Sequence, residues 1–524
     1  MGTTFFRKTR EGGSFIFGLE CAIMRVGAIH VFNDFKLVAE TPVYVQVSNY
    51  IKRLMMQGAL QAGQRLPSTR ELAELLGVSR GSIIAAYETL NEEGLAYAVT
   101  GKGNFVAEVA APGPNTVPEW RMDWRERMNR QARLSVELDH MKRGRPGLRA
   151  GKGKILFTSI APDEQLFDLE NVKRAFLDRM AVEGRVLLNY GYAKGYKPLI
   201  DFLLKYMERK GVDLTGKDLL ITSGFTEGLD IVLSAIGRDG GAGGRMLCEN
   251  PTHQTAIKNL RRHGFEITGI PMEPDGLDLA ALERELQMQP FDGAFLVPSY
   301  HNPTGIVTSA EKRMALLELL GRYRVPVIED GFNEELRYSG SHVAPLIAMA
   351  GQGNGVVYLG SFSKVLFPGI RVGWVLADRE LIEVLESVKR ARSIHTSTLD
   401  QSLLYQYLLN GNLEKYLKRA RAEYRRKYEW TKACCEREVP YSRLSGSGGL
   451  HLFLEFPDGF DTWKLLELCA DQGVLFTPGD MFYVDGGGWN TMRIGFSRVS
   501  EEDIEKGIRL IGEMAAKLLE AVHE

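Results

Sequence analysis

Cysteine is scarce in this chain: five thiols in 524 residues, at Cys21, Cys248, Cys434, Cys435 and Cys469, with no C-x-x-C spacing. That pattern argues against a disulfide framework and against a zinc site, and we expect no metal. The chain also lacks an apolar run of the ~18–20 residues needed to span a bilayer, so no membrane partner is expected. Net charge is nearly absent, with 65 Lys and Arg against 66 Asp and Glu. Any affinity for nucleic acid must therefore come from a local patch. The stretch Ser14–Phe35 is mildly apolar and follows Arg7, Lys8 and Arg10, but Glu20 and Arg25 interrupt it. It reads as part of an N-terminal extension, residues 1–40, with Met24 an alternative start, and not as a signal peptide. The expected location is cytoplasmic.

What is present is an ordinary globular composition, 44% hydrophobic and 25% charged, long enough for two or three domains. Residues 41–108 read as one of them. Val47, Ile51, Leu54 and Met55 share one face of a helix. Ser68 and Glu71 have capping-box spacing ahead of Leu72, Leu75 and Leu76. Ser79 can cap the next helix, in which Ile83, Tyr87 and Leu90 align. Two short strands, Leu95–Val99 and Asn104–Ala107, flank Thr100-Gly101-Lys102-Gly103. The order spells a winged helix-turn-helix. Its second helix would offer Ser79, Arg80 and Ser82 to base edges, while Arg65, Arg70 and Lys102 neutralise phosphates. Six basic residues here match six acidic ones, so the argument concerns one face only. A winged helix can equally serve protein interaction.

The segments Pro42-Val43-Tyr44-Val45-Gln46, Gly63-x-Arg65-Leu66-Pro67-Ser68-x-Arg70-x-Leu72-Ala73, Gly77-Val78-Ser79-Arg80, Ala86-Tyr87-x-x-Leu90-x-x-x-Gly94 and Gly101-x-Gly103-x-Phe105-Val106 resemble the GntR family of DNA-binding domains. That resemblance implies double-stranded DNA as partner and Arg65, Arg70, Ser79, Arg80, Ser82 and Lys102 as its contacts.

Residues 109–153 read as a linker. It holds Pro112, Pro114 and Pro118, a helix-compatible stretch from Trp120 to His140, and most of the basic run Lys142, Arg143, Arg145, Arg149, Lys152 and Lys154, which ends just past it. A solvated tether is the simpler account of that run; a tether that touches phosphates is the alternative.

From 154 to 524, strand-like runs recur: Leu219–Thr222, Arg245–Cys248, Phe265–Pro271, Gly293–Val297, Pro326–Ile328, Val356–Gly360 and Gly373–Leu376. Helical patterns lie between them, which predicts α/β with a mostly parallel sheet. Ligands sit beyond the strand carboxyl ends of such sheets. Ser223-Gly224-Phe225-Thr226, Asn302, Asp330 and Ser361-Phe362-Ser363-Lys364 fall there. An aldehyde cofactor with a pyridine ring and a phosphate needs an amine, an acid for the ring nitrogen, a donor for the phenolic oxygen, and helix-start amides with a cation for the phosphate. The set meets all four needs, with Arg371 as the cation.

These motifs, with Glu249-Asn250-Pro251, His301-Asn302-Pro303-Thr304-Gly305 and Arg371-Val372-Gly373, resemble fold-type I pyridoxal 5'-phosphate enzymes of the aspartate aminotransferase superfamily. The resemblance implies a large domain with a mostly parallel sheet and a smaller C-terminal α/β subdomain. Lys364 would bind the cofactor covalently as an imine, and Asp330 would pair with the ring nitrogen. Asn302 would donate to the phenolic oxygen. Ser361, Arg371 and the backbone of Gly224, Phe225 and Thr226 would hold the phosphate. Arg493 would clamp a substrate carboxylate, and Tyr190 would reach the neighbouring subunit's cofactor. Two positions depart from the pattern. His253 stands where an aromatic ring commonly stacks on the cofactor. Phe332 stands where a tyrosine usually donates a second hydrogen bond, which phenylalanine cannot do.

The fusion as a whole resembles the MocR subgroup of GntR regulators. It implies a head-to-tail homodimer that senses an amine, an amino acid or the cofactor itself. An active aminotransferase that carries a DNA-binding domain is the alternative, and a degenerate scaffold without cofactor is a third.

Overall fold

The computed structural model describes residues 30–32, 34–38, 41–108, 122–143, 153–237 and 243–523. Arg145, Arg149 and Lys152 of the basic run lie outside the described residues, as do Pro112, Pro114 and Pro118 and most of the N-terminal extension. The chain divides into two units, Met1–Asp123 and Trp124–Glu524.

In the first unit, helix α1 (Val43–Met56) buries Val47, Tyr50, Ile51 and Leu54. Helix α2 (Thr69–Leu76) begins at a complete capping box: Ser68 Oγ accepts from the Glu71 amide, and Glu71 accepts from the Ser68 amide. Such a cap stabilises by about 1 kcal/mol. Gly77 ends α2 in the left-handed region at φ 66°, which lets the chain turn directly into α3 (Arg80–Glu92). Strands β1 (Ala96–Val99) and β2 (Gly103–Val106) pair antiparallel as the wing, with Tyr97 stacked on Phe105. Phe32 and Phe35, which precede position 41, pack on Tyr50, and Phe32 is buried with the core of this unit.

The second unit opens on two short helices, α4 (Trp124–Arg127) and α5 (Arg130–Arg143), separated where the Asn129 side chain caps α5. Helix α6 (Leu169–Leu187) follows. The large sheet contains β3 (Lys217–Thr222), β4 (Arg245–Asn250), β5 (Glu266–Glu273), β6 (Gly276–Leu277), β7 (Gly293–Leu296), β8 (Val327–Asp330), β9 (Val356–Ser361) and β10 (Gly373–Asp378). Their spatial order is β3-β10-β9-β8-β7-β4-β5-β6. Neighbours from β9 through β5 pair parallel; β10 runs antiparallel to both β9 and β3. The central strands read buried at nearly every residue, as a sheet covered by helices on both faces requires. Helix α7 (Phe225–Ala235) leads from β3, and α8 (Gln254–Arg262) follows β4. A second, antiparallel sheet holds β11 (Arg443–Ser445), β12 (His451–Glu455), β13 (Thr477–Pro478) and β14 (Thr491–Gly495) in the order β11-β12-β14-β13. It has its own apolar core, built from Leu452, Leu454, Phe456, Ile494 and Phe496 among others.

Several strands run further than their apolar runs predict, and two of these extensions reach candidate site residues. Strand β8 continues to Asp330, because the buried Glu329 carboxylate accepts from the Leu346 and Ile347 amides and is held inside. Strand β9 likewise includes Ser361. Asp330 and Ser361 are therefore final strand residues rather than loop residues. No helix among the described residues is long and apolar enough to cross a membrane.

Candidate functional site

In the first unit, Arg65, Arg70, Ser79, Arg80 and Lys102 are all exposed, and Ser82 is partly so. None of the four cationic side chains makes an ion pair among the described residues, so their charge is available to phosphate. Arg80, the first residue of α3, rests its Nε on Thr69 Oγ1 at 3.3 Å. Arg65 lies under the wing: a Cβ at Gly103 would come within 3.2 Å of its Nε. Ser79 has a second task, since its Oγ accepts from the Ser82 amide and lies 2.9 Å from the Ser82 hydroxyl. The helix cap and any base contact share that oxygen.

In the second unit, the parallel strands deliver five segments to one edge of the sheet. Beyond β3, Gly224 takes φ 87° and starts α7 with no side-chain cap, leaving amides of its first turn free for an anion. Arg371 folds over this turn: its guanidinium donates to the Ser223 carbonyl at 3.0 Å and to Ser363 Oγ at 3.4 Å. A Cβ on Gly224 would meet that guanidinium at 2.6 Å, so only glycine lets the cation this close. Ser361 Oγ accepts from the Ser363 amide and donates to Ser363 Oγ. Ser361, Arg371, Gly224, Phe225 and Thr226 thus converge on one cradle. Sequence reasoning left out three of its members. Ser223 and Ser363 stand inside the motifs, but nothing in the sequence marks their roles. Thr396, whose Oγ1 lies 3.4 Å from Ser223 Oγ, is more than 170 residues away in sequence and gave no signal.

Asp330 is buried, and His253 Nδ1 lies 3.8 Å from its carboxylate. His253 occupies the N-cap position of α8 without a side-chain cap, and tilts against Phe225 at a ring separation of 5.7 Å. Burial, then the nearby Glu249 and Glu334 charges, hold the Asp330 carboxyl well above the usual range. Glu249 is itself pushed up to about 8 by burial. A buried acid in such company needs a cationic partner to ionise. A protonated ring nitrogen would be one. Asn302 Oδ1 accepts from the Arg493 guanidinium at 2.8 Å, which leaves its amide nitrogen buried with no partner. That is the atom expected to donate to a phenolic oxygen. Arg493 also donates to the Thr158 carbonyl at 3.3 Å, and its Nε is buried and unpartnered. Phe332 is buried among the apolar residues of the large sheet and faces His451.

Lys364 makes no hydrogen bond or ion pair among the described residues. Burial, then the Arg493 charge, lower its amine to about 8. At pH 7 about one such amine in ten is neutral, against about one in three thousand for an ordinary lysine. Only the neutral form attacks an aldehyde. We therefore expect the initial rate of pyridoxal phosphate uptake by cofactor-free protein to rise almost tenfold from pH 6 to 7. It should level off above pH 8, as followed by stopped-flow absorbance. A rate still climbing steeply at pH 10 would show an ordinary lysine. Tyr190 stands apart from this cluster, 80% exposed with its ring edge-on to His395.

An orphaned amide, a buried acid, a lowered amine and a glycine-lined cradle at the carboxyl ends of one mostly parallel sheet define the pyridoxal-phosphate aminotransferase class, here joined to a winged helix. Residues 154–511 match the family of class I and II aminotransferases, and residues 43–106 match the gntR family of bacterial regulatory proteins. The chain belongs to the class I and II aminotransferase family, which is pyridoxal-phosphate dependent, and carries a GntR-type DNA-binding domain at its N-terminal side. It is 32% identical to 2-aminoadipate transaminase of Thermus thermophilus over 71% of this chain and 92% of the relative. It is 25% identical to the probable rhizopine catabolism regulatory protein MocR of Rhizobium meliloti, over 90% of this chain and 93% of the relative. The multiple substrate aminotransferase of Thermococcus profundus superposes with a TM-score of 0.72 at 27% identity, covering 76% of this chain and all of that one. The two-domain architecture is that of the MocR-like regulators.

Proposed function

We propose that this protein is a DNA-binding transcriptional regulator whose cofactor pocket is its sensor. One observation carries the reading. A single chain joins a winged helix with unpaired exposed cations to a pocket that keeps its amine, its acid and its phosphate cradle, and it aligns with MocR through both parts. The bound cofactor supplies an electrophilic aldehyde and an electron-withdrawing ring. The protein's part is to present Lys364 as a neutral amine and to keep the ring nitrogen protonated through Asp330. Asn302 aligns the ring, and the turn at Gly224 with Ser361 and Arg371 holds the phosphate. Arg493 accepts a ligand carboxylate, for which a fixed two-nitrogen fork is suited. With the cofactor held, an amine or amino acid would compete with Lys364 for its aldehyde and would leave that lysine free. This changes the charge beside Arg493 and can bias two conformations that differ in DNA affinity.

The test is a titration of labelled upstream DNA with cofactor-loaded and cofactor-free protein, with and without amines. Binding that shifts with cofactor or amine supports the sensor; binding indifferent to both refutes it. The retained Asn302–Arg493 pair, and the 32% identity to a transaminase, favour a second reading: an aminotransferase that transfers an amino group to a 2-oxo acid. Sustained turnover of an amino acid with a 2-oxo acid would establish it.

The partner is proposed to be a second copy of this chain. Leu177, Val182, Val186 and Leu188, on and just after α6, are 65–71% exposed, and Tyr190 and Tyr192 continue the patch. Six large apolar or aromatic side chains exposed along one short stretch of chain suit an interface. Replacing both Val182 and Val186 by Glu is expected to convert the dimer to monomer in analytical ultracentrifugation at micromolar concentration. A dimer unchanged in that variant would place the interface elsewhere.

A further inference from the structure

His451 plays no part in the roles assigned so far, although it stands beside the groups that do. It is fully buried at the start of β12. In the antiparallel pairing of β12 with β14, Phe453 lies opposite Arg493 and His451 lies opposite Gly495. Directly opposed residues, and residues two apart along a strand, share a face of the sheet. His451 and Arg493 therefore point the same way. Both reach the same loop: the Arg493 guanidinium bonds Asn302, and His451 Nε2 bonds the backbone carbonyl of His301 at 3.2 Å.

That second bond decides the tautomer. A carbonyl oxygen only accepts, so Nε2 carries the proton and Nδ1 carries a lone pair. Nδ1 is buried and has no partner. Burial, then the charge on Arg493, drop the imidazole to about 3, so the ring stays neutral and the lone pair persists across the working pH range. The ring of Phe332 lies 6.3 Å away and offers no hydrogen bond. An acceptor left unsatisfied in a buried site is costly and calls for a donor from a ligand.

We infer that His451 is a specificity-determining residue: its Nδ1 accepts a hydrogen bond from a donor on the ligand's side chain, so the effector or substrate is an amino acid or amine bearing a hydroxyl or amide group. The inference rests on the proposed cofactor pocket. A carboxylate cannot be the donor, because it only accepts and is assigned to Arg493. The wall that faces the ligand thus divides the work. Arg493 recognises the anionic end, Lys364 yields to the amine, and His451 selects among side chains.

The experiment titrates cofactor-loaded full-length protein with matched pairs: serine against alanine, threonine against valine, asparagine against leucine. Binding is read from the visible spectrum and, independently, from the shift in melting temperature. In at least one pair the donor-bearing member should half-saturate at a concentration about tenfold lower than its apolar counterpart. At matched cofactor occupancy His451→Phe should remove that preference, and His451→Gln, which keeps an acceptor, should retain part of it. Equal half-saturation within every pair in the wild type, or a preference that survives in His451→Phe, overturns the inference. Protein that takes up no cofactor at all sinks the pocket reading itself, so the two failures are told apart.

Discussion

Replacing Asp330 by Asn is expected to leave the cofactor-free protein as stable as the wild type or more so, and to cripple the loaded protein. The two effects have one cause. In the cofactor-free protein the Asp330 carboxyl is held well above its usual range by burial and by the Glu249 and Glu334 charges, which the nearby Lys364 amine does not offset. A neutral amide of the same shape removes that burden. With a ring nitrogen held there, the carboxylate would keep it protonated. An opposite charge in contact shifts such an equilibrium by one to three pKa units, so losing it should slow amine exchange roughly 10- to 1000-fold. The measurement pairs a melting curve of cofactor-free protein with the rate of spectral change on adding amine. Unaltered exchange in Asp330→Asn would show that the ring nitrogen faces another residue.

The second large effect concerns DNA. Arg80→Ala is expected to weaken binding to the specific operator by about 1–3 kcal/mol, while binding to unrelated DNA changes little. Arg80 is the first residue of the recognition helix and is exposed, so the variant should fold normally. Lys102→Ala, at the tip of the wing, should instead weaken all sequences alike and lower the salt slope of log Kd by about one. Fluorescence anisotropy across a salt series separates the two. If Arg80→Ala weakened specific and unrelated DNA equally, the helix would be anchoring on phosphates rather than reading bases.

Much of this molecule is legible from its residues in order, because the signals are local. The capping box at Ser68 and Glu71, the left-handed turn at Gly77 and the wing around Lys102 each depend on neighbours a few positions apart. Strand ends were less legible. Glu329 and Asp330 look like loop residues, since charged side chains seldom sit inside a strand; amides contributed by Leu346 and Ile347 hold Glu329 in place. Thr396 and His451 carried no sequence signal, because neither belongs to a motif and each acquires meaning only from what packs beside it. The departure at Phe332 was visible as a missing donor. That a histidine from the second sheet stands next to it was not.

The order of residues by itself determined the two-part architecture and singled out Lys364, Asp330, Asn302 and Arg371 as candidates, because the chemistry of those side chains and their place after apolar strands point one way. Tertiary structure alone decided the electrostatic state of the site. The lowered Lys364 amine, the raised Asp330 acid and the lone pair left on His451 all arise from removing charged and polar groups from water and setting them against partners brought from distant parts of the chain. Burial and proximity are properties of packing, and no spacing along the sequence encodes them.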